Sequence, residues 1–174
     1  PLREGKGTMF DGGCREPTLA WWPGKIPANS ICKEPAMTID LLPTITKMIG
    51  AKLPGHKIDG KNILPLMLSD NAKSPQKAYF FYYGNQLQAV RQGKWKLHFP
   101  HGYRTMAGKP GGTGGIPTRY SQAKIDLALF DLEQDIGETK NLKSEFPEIA
   151  KSLSDLGKSF EQKLKKTKRP VGKL

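Results

Sequence analysis

Two cysteines in 174 residues are too few for a disulfide-stapled fold. Cys14 and Cys32 flank a predicted strand and a bridge across it is open to them, but their scarcity favours free thiols. No apolar run approaches the ~20 residues that carry a helix across a bilayer, and no stretch reads as a signal peptide. Histidine is scarce as well, with three in the chain. His98 and His101 stand three apart across Pro100, in a strand-to-loop context that offers no helical face and no third ligand. The glycine-rich run 111–115 lacks the Gly-Lys-Ser/Thr ending of a phosphate-binding P-loop. These gaps exclude a disulfide scaffold, a helical membrane span, a zinc module within this chain and a P-loop nucleotide site.

Acidic residues are also few, 16 against 28 Lys and Arg, for a net charge of +12. The excess is concentrated. From Lys158 to Leu174 there are seven basic residues and one acid, Glu161, so this tail carries seven minus one, or +6. A tail containing Lys163, Lys165, Lys166, Lys168 and Arg169 can serve as a basic polyanion-binding module. Its plainer reading is a solvated terminus. Nucleic-acid modules interleave aromatics with their cations, whereas the aromatics of this chain lie in the predicted strands.

Nineteen glycines, 14 prolines and a 37% hydrophobic fraction describe a loop-rich chain. Its large apolar residues are clustered, so a core can form. Residues 1–17 read as loop, and Thr18 to Trp22 as a buried strand ended by Pro23-Gly24. Thr38 is placed to cap a helix from Ile39 to Ile49, bent by Pro43 and stopped at Gly50, with Leu41, Leu42, Ile45, Met48 and Ile49 on one face. The Gly/Pro/Lys-rich stretch 51–76 reads as a connection. Beyond it lies a β-rich unit, with strands at Ala78 to Tyr83, Leu87 to Gln92, Trp95 to Phe99 and Leu127 to Leu132. The third alternates apolar and polar residues, predicting one buried face and one wet face. A long loop, His98 through Gly115, separates the last two strands. Ser144 is a plausible cap for a final helix, with Pro147 in its first turn. Its apolar stripe is Phe146, Ile149, Leu153, Leu156, Phe160 and Leu164.

The most informative segment is Gly5-Lys6-Gly7-Thr8-Met9-Phe10-Asp11-Gly12-Gly13-Cys14-Arg15-Glu16-Pro17. Gly5 and Gly7 allow close backbone approach to a ligand, and Lys6 brings a compact positive charge for an anion's oxygens. Asp11 and Arg15 are read as a bidentate pair bracing the turn, and Gly12-Gly13 as supplying backbone angles open only to glycine. The segment resembles the arylsulfatase family, whose pattern here is roughly G-K-G-[ST]-x-x-E-G-G-x-R-x-P, with Asp11 in place of Glu. The resemblance continues through Thr38-Ile39-Asp40-Leu41-Leu42-Pro43-Thr44, Ile58-Asp59-Gly60-Lys61-Asn62 and Leu129-Phe130-Asp131-Leu132…Gly137-Glu138…Asn141-Leu142.

The resemblance implies an α+β fold, a small antiparallel sheet packed by a C-terminal helix. Ahead of it would lie the last strand–helix part of a large alkaline-phosphatase-like α/β domain. The corresponding boundaries are 1–75 for the end of the catalytic domain and 76–174 for the sheet-plus-helix subdomain with its basic tail. It implies a sulfate ester as substrate, possible glycan character included, and the rest of the catalytic domain as partner. It also implies calcium or a similar divalent cation in the intact enzyme, none on this chain, and a periplasmic or secreted location. Lys6 would bind the sulfate oxygens. His101, Tyr103 and Arg104, on the long loop, would meet the non-sulfate portion of the substrate. The family's Cys-x-Pro-x-Arg motif, source of its formylglycine nucleophile, is matched at neither Cys14 nor Cys32, and its Asp-Asn metal pair belongs upstream of Lys6. The chain is therefore expected to be the C-terminal part of a sulfatase and inactive alone. Apolar surface around Trp21, Trp22 and Leu41 would be exposed and favour self-association.

Overall fold

A computed structural model describes residues 1–106, 108–116 and 118–168. The chain divides into two compact units. One joins Pro1–Glu16 to the chain from Ala78 onward; the other is Pro17–Lys77. The division falls after Lys77, and the leading 16 residues fold with the β-rich unit and not with the stretch that follows them.

That unit is built on four antiparallel strands, β1 (Tyr79–Tyr83), β2 (Gln86–Gln92), β3 (Trp95–His98) and β6 (Ala128–Asp131), in the order β1-β2-β3-β6. Two tight turns join the first three strands. Gly84 and Gly93 take φ of 56° and 58° there, angles that cost a glycine little. Between β3 and β6 the chain forms a separate hairpin, β4 (His101–Thr105) with β5 (Ser121–Ile125). Part of the predicted long loop is thus strand, His101–Thr105.

The helix α4 (Pro147–Thr167) covers one face of the sheet. Leu87, Val90, Leu97, Leu129, Ala150 and Leu153 form the buried core between them. Phe80 stacks on Phe160 with centroids 3.7 Å apart. Pro147 occupies the first turn as expected, but Phe146, not Ser144, is the capping position.

The opposite face was predicted to be wet, and it is not. Lys96 and His98 point to that side of β3, yet both are fully buried. Residues 1–16, including the short helix α1 (Asp11–Cys14), lie over them, with Phe10 stacked on the His98 ring at 4.5 Å. Alternation in a strand marks two faces; it cannot show that another segment will cover the polar one.

In the second unit a 3-10 turn, Thr38–Asp40, leads into α2 (Leu41–Met48), and α3 (Leu64–Leu68) follows. Asp40, fully buried, organises it. Its carboxylate accepts N–H groups from Met37 at 3.0 Å and Lys61 at 2.8 Å, and the Gln76 amide at 2.7 Å. Asp40 therefore does the capping expected of Thr38. The predicted strand Thr18 to Trp22 is absent; this stretch is irregular, and Leu19 and Trp21 are exposed. Prolines bound it on both sides, and no segment of the described chain pairs with it.

Candidate active site

The Lys6 segment is a closed loop. Arg3 C=O accepts the Gly12 N–H at 3.0 Å, and Gly5 C=O accepts the Thr8 N–H at 3.2 Å and hydroxyl at 3.0 Å. Gly7 has φ of 91°, and a Cβ there would run into the Arg104 guanidinium. Gly12 and Gly13 have no positive φ. Side chains at these positions would collide with the carbonyls of Arg3, Glu4, Gly5 and Thr8. The pair is required for close packing, not for special backbone angles.

Lys6 stands exposed at the rim of a pocket of about 340 Å3, lined by Glu4, Gly5, Lys6, Thr8, Arg104, Met106, Gly108 and Tyr120. Among the described residues its ammonium has no acid partner. Its backbone is held, because Arg104 donates from Nε (3.2 Å) and Nη2 (2.5 Å) to the Lys6 carbonyl. The Arg104 guanidinium in turn lies over the Tyr120 ring, 4.6 Å from its centroid. A lysine on a restrained backbone, in no ion pair among the described residues, is suited to receive an anion.

Behind the loop lies a buried ionic cluster that sequence reasoning missed. Lys96 Nζ reaches Asp11 Oδ1 at 2.7 Å and Glu138 Oε1 at 3.0 Å, with all three side chains nearly or fully buried. His98 Nε2 lies 3.0 Å from the same Glu138 oxygen. Glu138 Oε2 accepts the Asp11 backbone N–H at 2.6 Å. Two carboxylates around one desolvated ammonium satisfy a cation that could not be buried alone.

The protonation states follow from these contacts. Burial pushes His98 down to about 4, outweighing the help of Glu138. Burial alone would raise Glu138, but the His98 hydrogen bond, the Lys96 charge and the Asp11 N–H hold it below the usual carboxylate range. Glu138 is then the acceptor and neutral His98 donates through Nε2–H. His101, also buried, is lowered by burial, and its Nδ1 sits 2.7 Å from the Phe99 carbonyl. Cys14 is raised by burial; both cysteines are free.

The predicted site residues converge on this region. Lys6 and Arg104 share the pocket. Tyr103 stands behind it, its hydroxyl accepting from Arg3 at 3.1 Å, and His101 is buried deeper, 5.6 Å ring to ring from His98. Asp11 and Arg15 do not form the expected bidentate pair. Arg15 is half exposed and 3.8 Å away, and the true partner of Asp11 is Lys96. Glu138 belongs to a motif legible in the sequence, but nothing local shows that it faces a lysine 42 residues earlier. Lys163, Lys165, Lys166 and Lys168 are exposed on the last turns of α4 and just beyond; Arg169 lies outside the described residues.

The residues do not fit a metal. Among the described residues no group of three His, Cys, Asp or Glu is placed to hold one. Glu4, in the pocket wall, accepts the Thr105 hydroxyl at 2.7 Å, and Asp11 and Glu138 behind the loop are engaged by Lys96. Nor, among the described residues, is any helix long and apolar enough to cross a membrane.

Residues 74–174 match the family described as the C-terminal region of aryl-sulfatase, and residues 5–102 match the C-terminal region of N-sulphoglucosamine sulphohydrolase. Arylsulfatase A of Bos taurus is 39% identical over 169 residues, covering 92% of this chain and 32% of the relative. N-acetylgalactosamine-6-sulfatase of Mus musculus is 34% identical over 166 residues, covering 88% and 31%. The PsFucS1 sulfatase from Pseudoalteromonas sp. superposes with a TM-score of 0.78 at 23% identity, over 99% of this chain and 34% of that one, which shows a shared fold. The chain spans about a third of the length of these relatives. It belongs to the sulfatase family and corresponds to the C-terminal region of the aryl-sulfatases.

Proposed function

We propose that this chain serves as the C-terminal part of a sulfuric-ester hydrolase and contributes Lys6 to the binding of the sulfate group. The observation that carries this reading is the Lys6 ammonium, in no ion pair among the described residues, on a backbone clamped by Arg104 at the rim of a pocket. A transferring sulfuryl group carries charge on several oxygens, and a preorganised cation stabilises that charge most as it develops. Arg104 and Tyr120 form the wall that meets the remainder of the substrate, with Tyr103 and His101 shaping it from behind. A sulfate ester is the substrate class, and a carboxylate, a guanidinium and an aromatic ring together in the pocket favour a sulfated glycan. Relatives named for N-acetylgalactosamine 6-sulfate and for steryl sulfate support the broader class. The nucleophile and the divalent cation would come from segments outside this chain, which alone is inactive. A periplasmic or secreted location goes with this reading. Among the described residues none of the lysines at the end of α4 lies over an aromatic ring, and Phe160 is committed to Phe80, so polyanion binding is set aside.

Lys6→Ala in the intact enzyme should lower kcat by ~10²–10³, the cost typical of one preorganised charge-stabilising group. Its melting temperature should not change, since an exposed lysine packs against little. Arginine should rescue poorly, because a planar fork does not replace a point charge. A kcat within about threefold of wild type would overturn the assignment.

A further inference from the structure

Glu138 holds both ends of the loop that carries Lys6. Its side-chain Oε2 accepts the Asp11 N–H at 2.6 Å, on the far side of Lys6. Its own backbone carbonyl accepts the Arg3 guanidinium at 2.7 Å, on the near side. Between these two anchors the loop closes on itself through the Gly12 N–H to Arg3 C=O bond. Glu138 is fully buried and takes φ of 49°, an angle that non-glycine residues adopt rarely and at a cost. Such strain persists only where surrounding contacts enforce it. Here those contacts are Lys96 and His98 on Oε1 and the loop on Oε2 and the carbonyl.

We propose that Glu138 is a positioning residue for Lys6. It does not touch substrate; it sets the loop so that the Lys6 ammonium projects into the pocket at one fixed place. The proposal rests on the reading of Lys6 as the sulfate-binding lysine. A simple strut would not need to grip both ends of one loop with two different groups. Arg3 completes the grip from the loop side: it binds the Glu138 carbonyl and the Tyr103 hydroxyl and lies 4.1 Å over the Phe10 ring.

The test is a double-mutant cycle in the intact enzyme, with a small aryl sulfate as substrate. Glu138→Gln keeps the side-chain volume but cannot accept the Asp11 N–H and hold Lys96 together. It should lower kcat about tenfold or more, with KM within about twofold, because a displaced charge costs mainly in the transition state. The Lys6→Ala/Glu138→Gln double variant should be no slower than Lys6→Ala alone, since the effect of Glu138 passes through Lys6. If Glu138→Gln does not fold, Arg3→Gln cuts the same grip at a half-buried position and should show the same lack of additivity. Folded variants with wild-type kcat, or losses that multiply in the double variant, would overturn the proposal. A Lys6→Ala enzyme of undiminished kcat would instead overturn the reading of Lys6 on which it rests.

Discussion

His98 is held neutral against its natural tendency. Unfolded, it would take a proton near 6.5; in the folded chain burial lowers that to about 4. Between those values the unfolded chain binds more protons, so stability falls as pH drops through the window and is fully present above it. Glu138, held below the usual range, loses its contribution as pH falls further, through its own lowered value. The His98 part alone amounts to roughly 3 kcal/mol. Thermal melts between pH 7 and 4 should therefore show a steep loss, and His98→Gln, which keeps a donor for Glu138 but does not titrate, should flatten it. An equally steep slope in the variant would place the titration elsewhere. At this scale the sequence singled out Lys6 through its motif, and the structure sets it at a pocket, but pairing that crosses the fold was illegible. Lys96 looks like any solvated strand lysine until Asp11 and Glu138, 85 and 42 residues away, enclose it.

Among the elements, α4 shows how close the packing is. Gly157 lies in mid-helix, where alanine would ordinarily be worth ~1 kcal/mol more. A Cβ there would sit 2.6 Å from Phe99 Cζ and 2.8 Å from Val90 Cγ2. Overpacking a filled site costs about 1–3 kcal/mol, so Gly157→Ala should destabilise by a net ~1 kcal/mol despite its helix propensity. Denaturant melts giving equal or greater stability would show that the sheet side yields freely. The strands β1, β2, β3 and β6 were legible as short apolar, aromatic or alternating runs, and this helix from its long apolar stripe. The β4–β5 hairpin was not, since HGYRT shows no apolar alternation, the Ser-Ala-Ile alternation of SQAKI is short and weakly apolar, and the ladder is closed by tertiary pairing. Thr18 to Trp22 failed for the converse reason, an apolar run without a partner strand. In α2 the apolar face was found correctly but its burial was not: Leu42 and Ile45 are half exposed, and Thr44, bonded to the Asp40 carbonyl and the Ile63 N–H, is buried instead.

Over the whole molecule, the two units differ in how well they bury their apolar residues. The β-rich unit has a closed core between sheet and helix. The unit Pro17–Lys77 leaves Leu19, Trp21, Ile31, Leu41, Leu42, Ile45 and Ile49 exposed. Contiguous apolar surface of more than a few hundred Å2 is uncommon on a soluble monomer and drives association. The net charge of +12 opposes it through self-repulsion. The balance between these two effects depends on salt, because exposed charges are screened over ~10 Å at 0.1 M while apolar burial is not weakened. The chain alone should therefore self-associate with rising concentration, more strongly at 0.5 M salt than at 0.05 M, and should bind an apolar dye. Leu42→Lys together with Ile45→Lys places charge on the exposed face of α2 without touching the buried Asp40 and Thr44 contacts. That variant should reduce both association and dye binding while leaving the far-UV circular dichroism unchanged. Sedimentation showing a monomer at every salt concentration, with no dye bound, would mean that this apolar surface is covered within the chain itself.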